Sequence, residues 1–424
     1  MKTAQTRFQR LHDTADFEKH HLNNGITVWL QKPNVVTDYK GYLSVFFKNV
    51  GSANDPKGLE GLAHFLEHML FRGSYKHESE AELKKPIIEN GGSINACTSN
   101  EFTEYYIEIA QQYFLQALET LHGLVFEPVL NSDHVLLEQQ IILREISKDK
   151  LSGKSLIERH ENDFLLDKKN SMRHHPLGYP SSINKIGVNE LSDFYKQYYH
   201  ASNANIICGG SFSQISEVVR LLEDAFGAIS SGVKSEMVQC GEDRMKSGRK
   251  IFTDKRYGMD MLDMAYVFPY MPFAEREPLQ SLIDMLAGDE LSPFVIEMRE
   301  KRGLTYHVNA GTIANRRNCY AGFKCEMDST NFTLACNLFL EVLAGLNESC
   351  IEKYFIKSNL KRLSAFKSPI KTCKYLVHEI MISGRPYSYR ESEAIEDAIG
   401  IEDIIAWRDK LLGMEPLVLE FRKK

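Results

Sequence analysis

The stretch Gly61 to Phe71, GLAHFLEHMLF, decides how the rest of the chain is organised, because it places two imidazoles and a carboxylate close together. His64 and His68 are four residues apart, so their side chains share one face of an α-helix, with Glu67 beside them. Two histidines on one face can supply two corners of a tetrahedral zinc site, and the glutamate can reach water at the metal. A third ligand has to come from elsewhere in the chain.

These three residues form the HxxEH pattern of the inverted zincins. The rest of the helix is apolar, and a carboxylate without a partner is costly in such a setting. We therefore favour a metal-binding helix over a helix whose histidines are merely half-buried.

The bulk composition is that of an ordinary globular protein. The 424 residues are enough for two or three domains, and 43% hydrophobic residues can fill substantial cores. A net charge of −6, with Lys and Arg scattered along the chain, provides no basic surface for nucleic acid. No apolar run approaches the ~18 residues of a membrane span, and the N-terminus has no apolar signal segment, so we expect a soluble, cytoplasmic protein.

Two strands are predicted after the HxxEH helix and a further helix that Pro86 should kink or split. The segment SINACTS, from Ser93 to Ser99, has the small and polar residues of an exposed strand, and FTEYYIEIA, from Phe102 to Ala110, is its expected partner. An exposed edge strand can bind an extended peptide through backbone hydrogen bonds. It can equally be a short polar edge that only avoids aggregation, and the residues leave both interpretations open.

The third metal ligand is sought in the helix predicted from Ser132 to about Leu151, SDHVLLEQQIILREISKDKL. This helix carries Glu138 and Glu145, which are seven residues apart and therefore lie on the same face after two turns. Either carboxylate could complete the site, and a solvated helix face is the alternative for both.

HFLEH, followed by a long spacer and the helix EQQIILREI, resembles the pitrilysin family of zinc metallopeptidases, in particular its two-domain bacterial members and the catalytic subunit of the mitochondrial processing peptidase. The family spacing selects Glu145, 77 residues after His68, as the third ligand. The resemblance thus implies one Zn²⁺ per chain, held by His64, His68 and Glu145. It also implies that Glu67 is the general base and that Glu138 supports the zinc site.

The second half of the chain repeats the order of strands and helices. Residues 227–249 lose apolar periodicity and collect serine and glycine, which marks a connector, and we place the domain boundary at residue 235. The predicted domains are residues 1–235, which bind zinc, and residues 236–424. The predicted fold class is α+β, and the resemblance implies two homologous α/β-sandwich domains, each with a mostly antiparallel sheet and helices.

The second domain is not expected to bind a metal. When Met69-Leu70 is aligned with Met285-Leu286, the positions of the HxxEH residues are taken by Gln280, Ile283 and Asp284. This domain is therefore expected to contact substrate instead.

The segment MREKRGLTYHV, from Met298 to Val308, resembles a C-terminal pattern of the family in which an arginine and a tyrosine are seven residues apart. Here these residues are Arg299 and Tyr306, and the resemblance implies that they stabilise the developing oxyanion of the substrate. The alternative is an arginine on a helix surface and a tyrosine packed in the core. On the edge strand, Asn95 and Ala96 are the candidates for holding the peptide backbone.

The predicted function is a zinc-dependent endopeptidase that hydrolyses short or unfolded peptides inside a chamber formed between domains or subunits. Two-domain members of the family pair to enclose such a chamber, so we expect a homodimer, with a heterodimer containing a related subunit as the alternative. Two other functions stay open: a peptidase dedicated to one precursor or leader peptide, and a noncatalytic peptide-binding subunit. Noncatalytic members usually lose part of the zinc motif, which this sequence keeps.

Overall fold

The computed structural model describes residues 17–31, 40–150, 153–210, 214–238, 247–364 and 369–424. The N-terminal segment judged to lack a signal sequence, and part of the predicted connector, lie outside these described residues. The chain divides into a first unit, residues 1–149, 166–242 and 367–378, and a second unit, residues 150–165, 243–366 and 379–424. Each unit thus includes a segment from the other half of the sequence, and the domain boundary at residue 235 stays a prediction.

The first unit is built on a six-stranded sheet with the strand order β1-β2-β6-β3-β5-β4. Neighbouring strands are antiparallel, except that β2 and β6 are parallel. The predicted edge strand is confirmed, because β4 pairs with β5 alone among the described strands. The strands are β1 (Phe17–His21), β2 (Thr27–Gln31), β3 (Lys40–Lys48), β4 (Ser93–Thr98), β5 (Phe102–Ala110) and β6 (Ala204–Gly209).

The helices of the first unit pack mainly on one face of this sheet. They are α1 (Leu62–Leu70), α2 (Glu80–Ile88), α3 (Phe114–Phe126), α4 (Ser132–Lys150), α6 (Pro180–Ile183), α7 (Val188–Tyr198) and α8 (Ile215–Phe226), while α5 (Gly153–Leu165) belongs to the second unit. Phe65, Leu66 and Met69 of α1 are fully buried in the core with Ile107 of β5. Burial of each such side chain contributes about 1.5–3 kcal/mol.

Of the two predicted effects of Pro86, the split is wrong, because α2 continues through Pro86 to Ile88, while the kink stays a prediction. Proline at this position removes only the hydrogen bond to the carbonyl of Glu82, a residue of the exposed first turn whose carbonyl water can reach. The side chain of Ser79 also caps the start of α2 by accepting the Glu82 N–H.

The second unit contains a five-stranded sheet with the order β7-β11-β8-β10-β9, in which only β7 and β11 are parallel. Its strands are β7 (Gly248–Thr253), β8 (Met261–Pro269), β9 (Val308–Ala314), β10 (Asn318–Glu326) and β11 (Leu417–Arg422). Its core includes an aromatic cluster of Phe294, Phe323 and Phe339 with ring centroids 4.7–5.3 Å apart. Two units, each with a mixed sheet and helices, confirm the predicted α+β fold.

The remaining helices lie in the second half of the sequence. They are α9 (Phe273–Ala287), α10 (Pro293–Val295), a π-helical turn (Ile296–Glu300), α11 (Phe332–Ala344), α12 (Glu348–Ser364), α13 (Pro369–Ser383), α14 (Tyr389–Asp397) and α15 (Ile401–Leu412). Short 3₁₀ turns lie at Ser52–Asn54, Gln111–Tyr113, Ser171–Arg173 and Ser329–Asn331. Across the described ranges, no single helix is long and apolar enough to cross a membrane. One helix pair, Ser329–Ala344 and Glu348–Ser358, has the length and composition of a membrane span, but it is bent by 93°.

Candidate metal centre and active site

Helix α1 begins at a glycine and is capped from a distance. Gly61 has φ +99°, which favours glycine, and it has no side chain to cap the helix. The carboxylate of Asp55 takes that role by accepting the N–H groups of Gly61 at 2.7 Å and Ala63 at 2.8 Å. The helix ends with Phe71 as its C-cap. After the last helical residue, the N–H groups of Phe71 and Arg72 bond the carbonyls of His68 and Met69.

A loop of the first unit braces the start of α1. A Cβ at Gly178 would overlap the carbonyl of Glu60, so only glycine allows this close approach. The hydroxyl of Ser182 donates to the same Glu60 carbonyl at 2.6 Å. The start of the HxxEH helix is thus held from both sides, by Asp55 and by this loop.

The structure brings the three predicted ligands together. Nε2 of His64 lies 3.9 Å from Oε2 of Glu145, and Nε2 of His68 lies 3.6 Å from the same oxygen. All three donor atoms lie within 4.8 Å of one another. Among the described residues, these three are the His, Cys, Asp or Glu side chains that lie close enough together to hold a metal ion.

This donor set fits zinc in both chemistry and spacing. Two imidazoles and one carboxylate are a common zinc set, with bonds of about 2.0–2.1 Å that place tetrahedral donors about 3.3–3.4 Å apart. The observed separations of 3.6 and 3.9 Å exceed that spacing by a few tenths of an ångström. Small side-chain rotations would bring Glu145 to this spacing from both histidines.

The two histidines differ in their electrostatic environment. Burial, with smaller effects of His68 and His175, lowers the pKa of His64 to about 3, so its imidazole is neutral and available to a cation. Burial also lowers the pKa of His68, but Glu138, Glu145 and Glu67 outweigh it and the pKa of His68 is raised.

The carboxylate of Glu138 lies against the ring of His68. Its Oε2 lies 3.0 Å from Nδ1 of His68, so it can hold the ring with Nε2 towards Glu145. The guanidinium of Arg72 binds the other oxygen of the Glu138 carboxylate. Burial raises the pKa of Glu138, but its hydrogen bonds and charges from His68 and Arg72 bring the pKa below its usual value.

The carboxylate of Glu67 is bound to the edge strand. The hydroxyl of Thr98 on β4 donates to Oε2 of Glu67 at 2.6 Å, and the Thr98 backbone N–H also bonds this carboxylate. Burial raises the pKa of Glu67, and the two hydrogen bonds from Thr98 only partly oppose that rise. The predicted base and the edge strand therefore meet at one residue.

The direction of the β4 backbone follows from its register with β5. Ser99 N–H donates to Phe102 O at 2.9 Å, and in an antiparallel pair such bonded positions recur at every second residue. The N–H of Ala96 therefore points away from β5, and it bonds the side chain of Asn95 at 2.9 Å. Ala96 thus offers a backbone donor on the open side of the strand, two residues from Thr98.

The structure also brings Arg299 and Tyr306 together, within the second unit. The guanidinium carbon of Arg299 lies 5.0 Å from the Tyr306 ring centroid, and its Nη1 lies 3.3 Å from Oε1 of Glu290. Tyr306 is 84% exposed, so the alternative of a tyrosine packed in the core is excluded. Arg299 lies in the π-helical turn, where Lys301 N–H bonds Ile296 O, and such turns often mark functional sites.

In the second unit, Gln280 and Asp284, which align with His64 and His68, take part in a hydrogen-bond network. Gln280 Nε2 donates to Asp284 Oδ1 at 2.8 Å, and Gln280 Oε1 accepts the backbone N–H of Thr312 at 2.9 Å. Thr312 lies on β9, the edge strand that α9 contacts, just as α1 contacts β4 in the first unit. A glutamine thus binds the edge strand here, where Glu67 does so in the first unit.

Sequence reasoning missed three residues of this site. Thr98 binds Glu67, Arg72 binds Glu138, and Asp55 caps α1. Only Arg72 had a local signal, because it follows His68 by four residues and continues the same helix face.

Comparison with known proteins agrees with this geometry. Residues 38–173 match the family model described as insulinase (peptidase family M16), and residues 185–355 match the model described as the peptidase M16 inactive domain. The chain belongs to peptidase family M16. The HxxEH helix and Glu145 fall within the first match, and Arg299 and Tyr306 fall within the second.

Relatives in this family include proteases of different lengths. Insulin-degrading enzyme-like 1, peroxisomal, from Arabidopsis thaliana is 34% identical over 195 residues, which cover 43% of this chain and 19% of that protein. An uncharacterised zinc protease from Rickettsia bellii is 26% identical over 302 residues, which cover 70% of this chain and 69% of that protein. The matched residues span about a fifth of the length of the insulin-degrading enzyme relatives.

A solved structure shares the fold. The crystal structure of a protease from Helicobacter pylori superposes with a TM-score of 0.82 at 17% identity, covering 96% of this chain and 99% of that chain. At this identity the likeness concerns the fold alone. The shared fold includes both units, since the superposition covers 96% of this chain.

Proposed function

We propose that this chain is a zinc-dependent endopeptidase that hydrolyses short or unfolded peptides. The observation that carries the proposal is the bond between Glu67 and Thr98. It joins a carboxylate beside three converging metal donors to the edge strand β4, whose Ala96 N–H points away from β5 and bonds the Asn95 side chain. A metal site alone could be structural, but a base attached to a peptide-binding edge beside it is what peptide hydrolysis requires.

In this proposal His64, His68 and Glu145 hold one Zn²⁺. A zinc ion bound there would polarise the scissile carbonyl and acidify water. His64 presents a neutral imidazole to it, and Glu138 orients His68 from the opposite side of the ring.

Glu67 acts as general base in this proposal. It takes a proton from the attacking water and passes that proton to the leaving amine. Thr98 holds the Glu67 carboxylate through Oε2. The raised pKa of Glu67 brings its basicity closer to that of a proton carrier at neutral pH.

The peptide is proposed to bind as an added strand along β4. The N–H of Ala96 would exchange its bond with the Asn95 side chain for a bond to a substrate carbonyl. Backbone hydrogen bonds of this kind tolerate many sequences, which suits a peptidase with broad specificity.

Arg299 and Tyr306 are proposed to contact the same substrate and to stabilise the oxyanion that develops on the scissile carbonyl. Their mutual stacking holds both side chains in place while the tyrosine hydroxyl stays exposed. A preorganised donor of this kind acts mainly in the transition state and therefore on kcat.

Metal analysis of purified variants tests the proposal. Wild type should bind one equivalent of zinc and cleave a quenched peptide, and His64→Ala and Glu145→Ala should lose both. His21→Ala, at an exposed histidine of β1, is the matched control and should keep both. A wild type that binds no zinc, or a Glu145→Ala variant with full zinc content, would contradict it.

We further propose that the chain works as a homodimer whose chamber selects peptides by access. Light scattering should return the dimer mass, and a monomer mass at all working concentrations would contradict this. A dimer that forms only after mixing with a related M16 subunit would identify the heterodimer instead.

A noncatalytic peptide-binding subunit is the second candidate, and the match of residues 185–355 to a domain described as inactive leaves it open. The intact donor set of the first unit favours catalysis. Product profiling from a mixed peptide library separates the remaining cases: many cleaved sequences indicate a general peptidase, one motif indicates a dedicated processing enzyme, and no cleavage indicates a binding subunit.

A further inference from the structure

A line of charged side chains runs from His68 to the surface of the first unit. Glu138 uses its two oxygens for different partners, with Oε2 3.0 Å from His68 Nδ1 and Oε1 bound by the Nε and Nη2 groups of Arg72. Nη1 of Arg72 lies 3.7 Å from Oε2 of Glu80, and Glu80 binds Lys84 at 2.6 Å. Arg72 is therefore the link between the metal-site carboxylate and the exposed pair on α2.

Arg72 reaches this position because of where α1 ends. It follows His68 by four residues, and its N–H bonds Met69 O at 3.1 Å, so the backbone stays turned for two residues beyond the end of α1. Its side chain consequently lies on the same face as His68 and beside Glu138 of α4.

Glu138 depends on this partner. Its side chain is only 2% exposed, and a carboxylate buried to that degree is costly unless another charge and hydrogen bonds compensate it. The side chain of Arg72 is 18% exposed, and two of its guanidinium nitrogens bind the single oxygen Oε1, which leaves Oε2 of Glu138 for His68.

The other histidine has no such support. Nδ1 of His64 is buried and finds no hydrogen-bond partner among the described residues. The orientation of the two rings is therefore controlled unequally, and His68 is the ring whose direction depends on a chain of contacts.

We propose that Arg72 is a positioning residue of the metal site: it fixes the Glu138 carboxylate, which in turn holds His68 with Nε2 directed towards Glu145. This inference rests on the proposed zinc function. Arg72 touches neither the metal position nor the substrate, and it acts only through Glu138.

The test is a double-mutant cycle read out as the zinc dissociation constant, measured by competition with a chelator. Loss of a residue that supports a metal ligand typically weakens metal binding about 10–100-fold. We expect Glu138→Gln and Arg72→Met each to weaken zinc binding within that range. The double variant should be no weaker than Glu138→Gln, because Arg72 acts through Glu138. Arg72→Lys, which keeps the charge but not the fork, should lose less than Arg72→Met.

Lys84→Met is the matched control, because it removes a cation of the same line that has no contact with Glu138, and it should leave the zinc constant unchanged. Should Arg72→Met not fold, as judged by circular dichroism of the metal-free protein, the cycle of Arg72→Lys with Glu138→Gln decides by the same criterion.

Equal zinc affinity of wild type and the Arg72 variants would overturn the inference and leave the proposed function standing. Independent, multiplicative losses in the double variant would also overturn it, since Arg72 would then act by another route. A wild type without zinc affinity would overturn the proposed function and this inference together.

Discussion

Thr98 donates its hydroxyl hydrogen to Glu67 at 2.6 Å, which joins the edge strand β4 to the carboxylate of the HxxEH helix. Glu67 lies in an otherwise apolar helix, so this bond and the Thr98 N–H are what hold its carboxylate in one orientation. The edge strand and the proposed base are thus directly hydrogen-bonded to each other in the first unit. A peptide bound to β4 would therefore lie in a fixed register relative to Glu67.

Removal of the Thr98 hydroxyl should slow catalysis without loss of metal. Thr98→Val keeps the shape and the backbone N–H but removes one donor, and we expect kcat to fall about tenfold, equivalent to ~1.4 kcal/mol. Thr98→Ser should restore most of the rate because it restores the donor. Steady-state kinetics with zinc analysis checks this, and an unchanged kcat in Thr98→Val would contradict the role of Thr98.

The open N–H of Ala96 predicts a change in substrate binding. Ala96→Pro removes this donor on the outer side of β4, where proline is tolerated, so KM should rise several-fold with little change in the thermal midpoint. Cys97→Pro is the matched control, because by the alternation of the register its N–H faces β5 and its loss should lower the thermal midpoint. An unchanged KM in a folded Ala96→Pro variant would show that peptides do not pair with this strand.

Tyr306→Phe should act on turnover rather than on the metal. Phenylalanine keeps the ring that Arg299 covers at 5.0 Å and removes only the hydroxyl. If that hydroxyl stabilises the oxyanion, kcat should fall about 10²–10³-fold. Zinc content should equal that of wild type. A Tyr306→Phe variant with wild-type kcat would assign the exposed tyrosine a role in binding only, or none.

The two carboxylates beside Lys324, those of Glu161 and Asp263, should make the folding stability of the second unit depend on pH. Lys324 Nζ lies 2.8 Å from Glu161 and 2.9 Å from Asp263, all within the second unit. Burial raises the pKa of Glu161 from 4.5 to about 7, with Lys324 opposing and Asp263 adding to the rise. Because this pKa is higher in the folded state, the folded protein binds the proton more tightly and its stability falls as pH rises from about 4.5 to 7.

Lys324→Met removes the cation and leaves the two carboxylates facing each other, so the pKa of Glu161 should rise further. The free energy of unfolding of the variant should fall by about 1–3 kcal/mol at pH 8 and by much less at pH 5. The loss is smaller than the ~3–5 kcal/mol expected for breaking a fully buried pair, because Lys324 is a third exposed. Urea unfolding at both pH values measures this. Lys301→Met, which breaks an exposed pair with Glu297, should show little effect at either pH, and a pH-independent loss in Lys324→Met would contradict the account.

The parts of this fold that the sequence predicts are those with a local period. The HxxEH helix, the strands β4 and β5 and the helix carrying Glu145 follow from repeats of 3.6 or 2 residues. The choice of Glu145 over Glu138 came from the family spacing, and the two carboxylates now occupy different places, one among the metal donors and one behind His68.

The parts that escaped prediction depend on packing between distant segments. Thr98 and Glu67 are 31 residues apart, and Arg72 and Glu138 are 66 apart, so no local pattern indicates that they meet. The apolar face of α5 likewise predicts burial but not the sheet on which it packs, which proves to be that of the second unit. Helix α2 also differs from its prediction. Proline usually interrupts a helix, but Pro86 is tolerated because the carbonyl that it leaves unbonded lies in the exposed first turn.

Cleavage of a quenched peptide by zinc-loaded wild type and Glu67→Gln tests the central claim most directly. Glutamine keeps the size of the side chain and a hydrogen-bond acceptor for Thr98 but cannot take a proton at neutral pH. We expect equal zinc content and a kcat about 10²–10⁴-fold lower in Glu67→Gln, the usual contribution of a general base. Equal zinc content with unchanged turnover would contradict it.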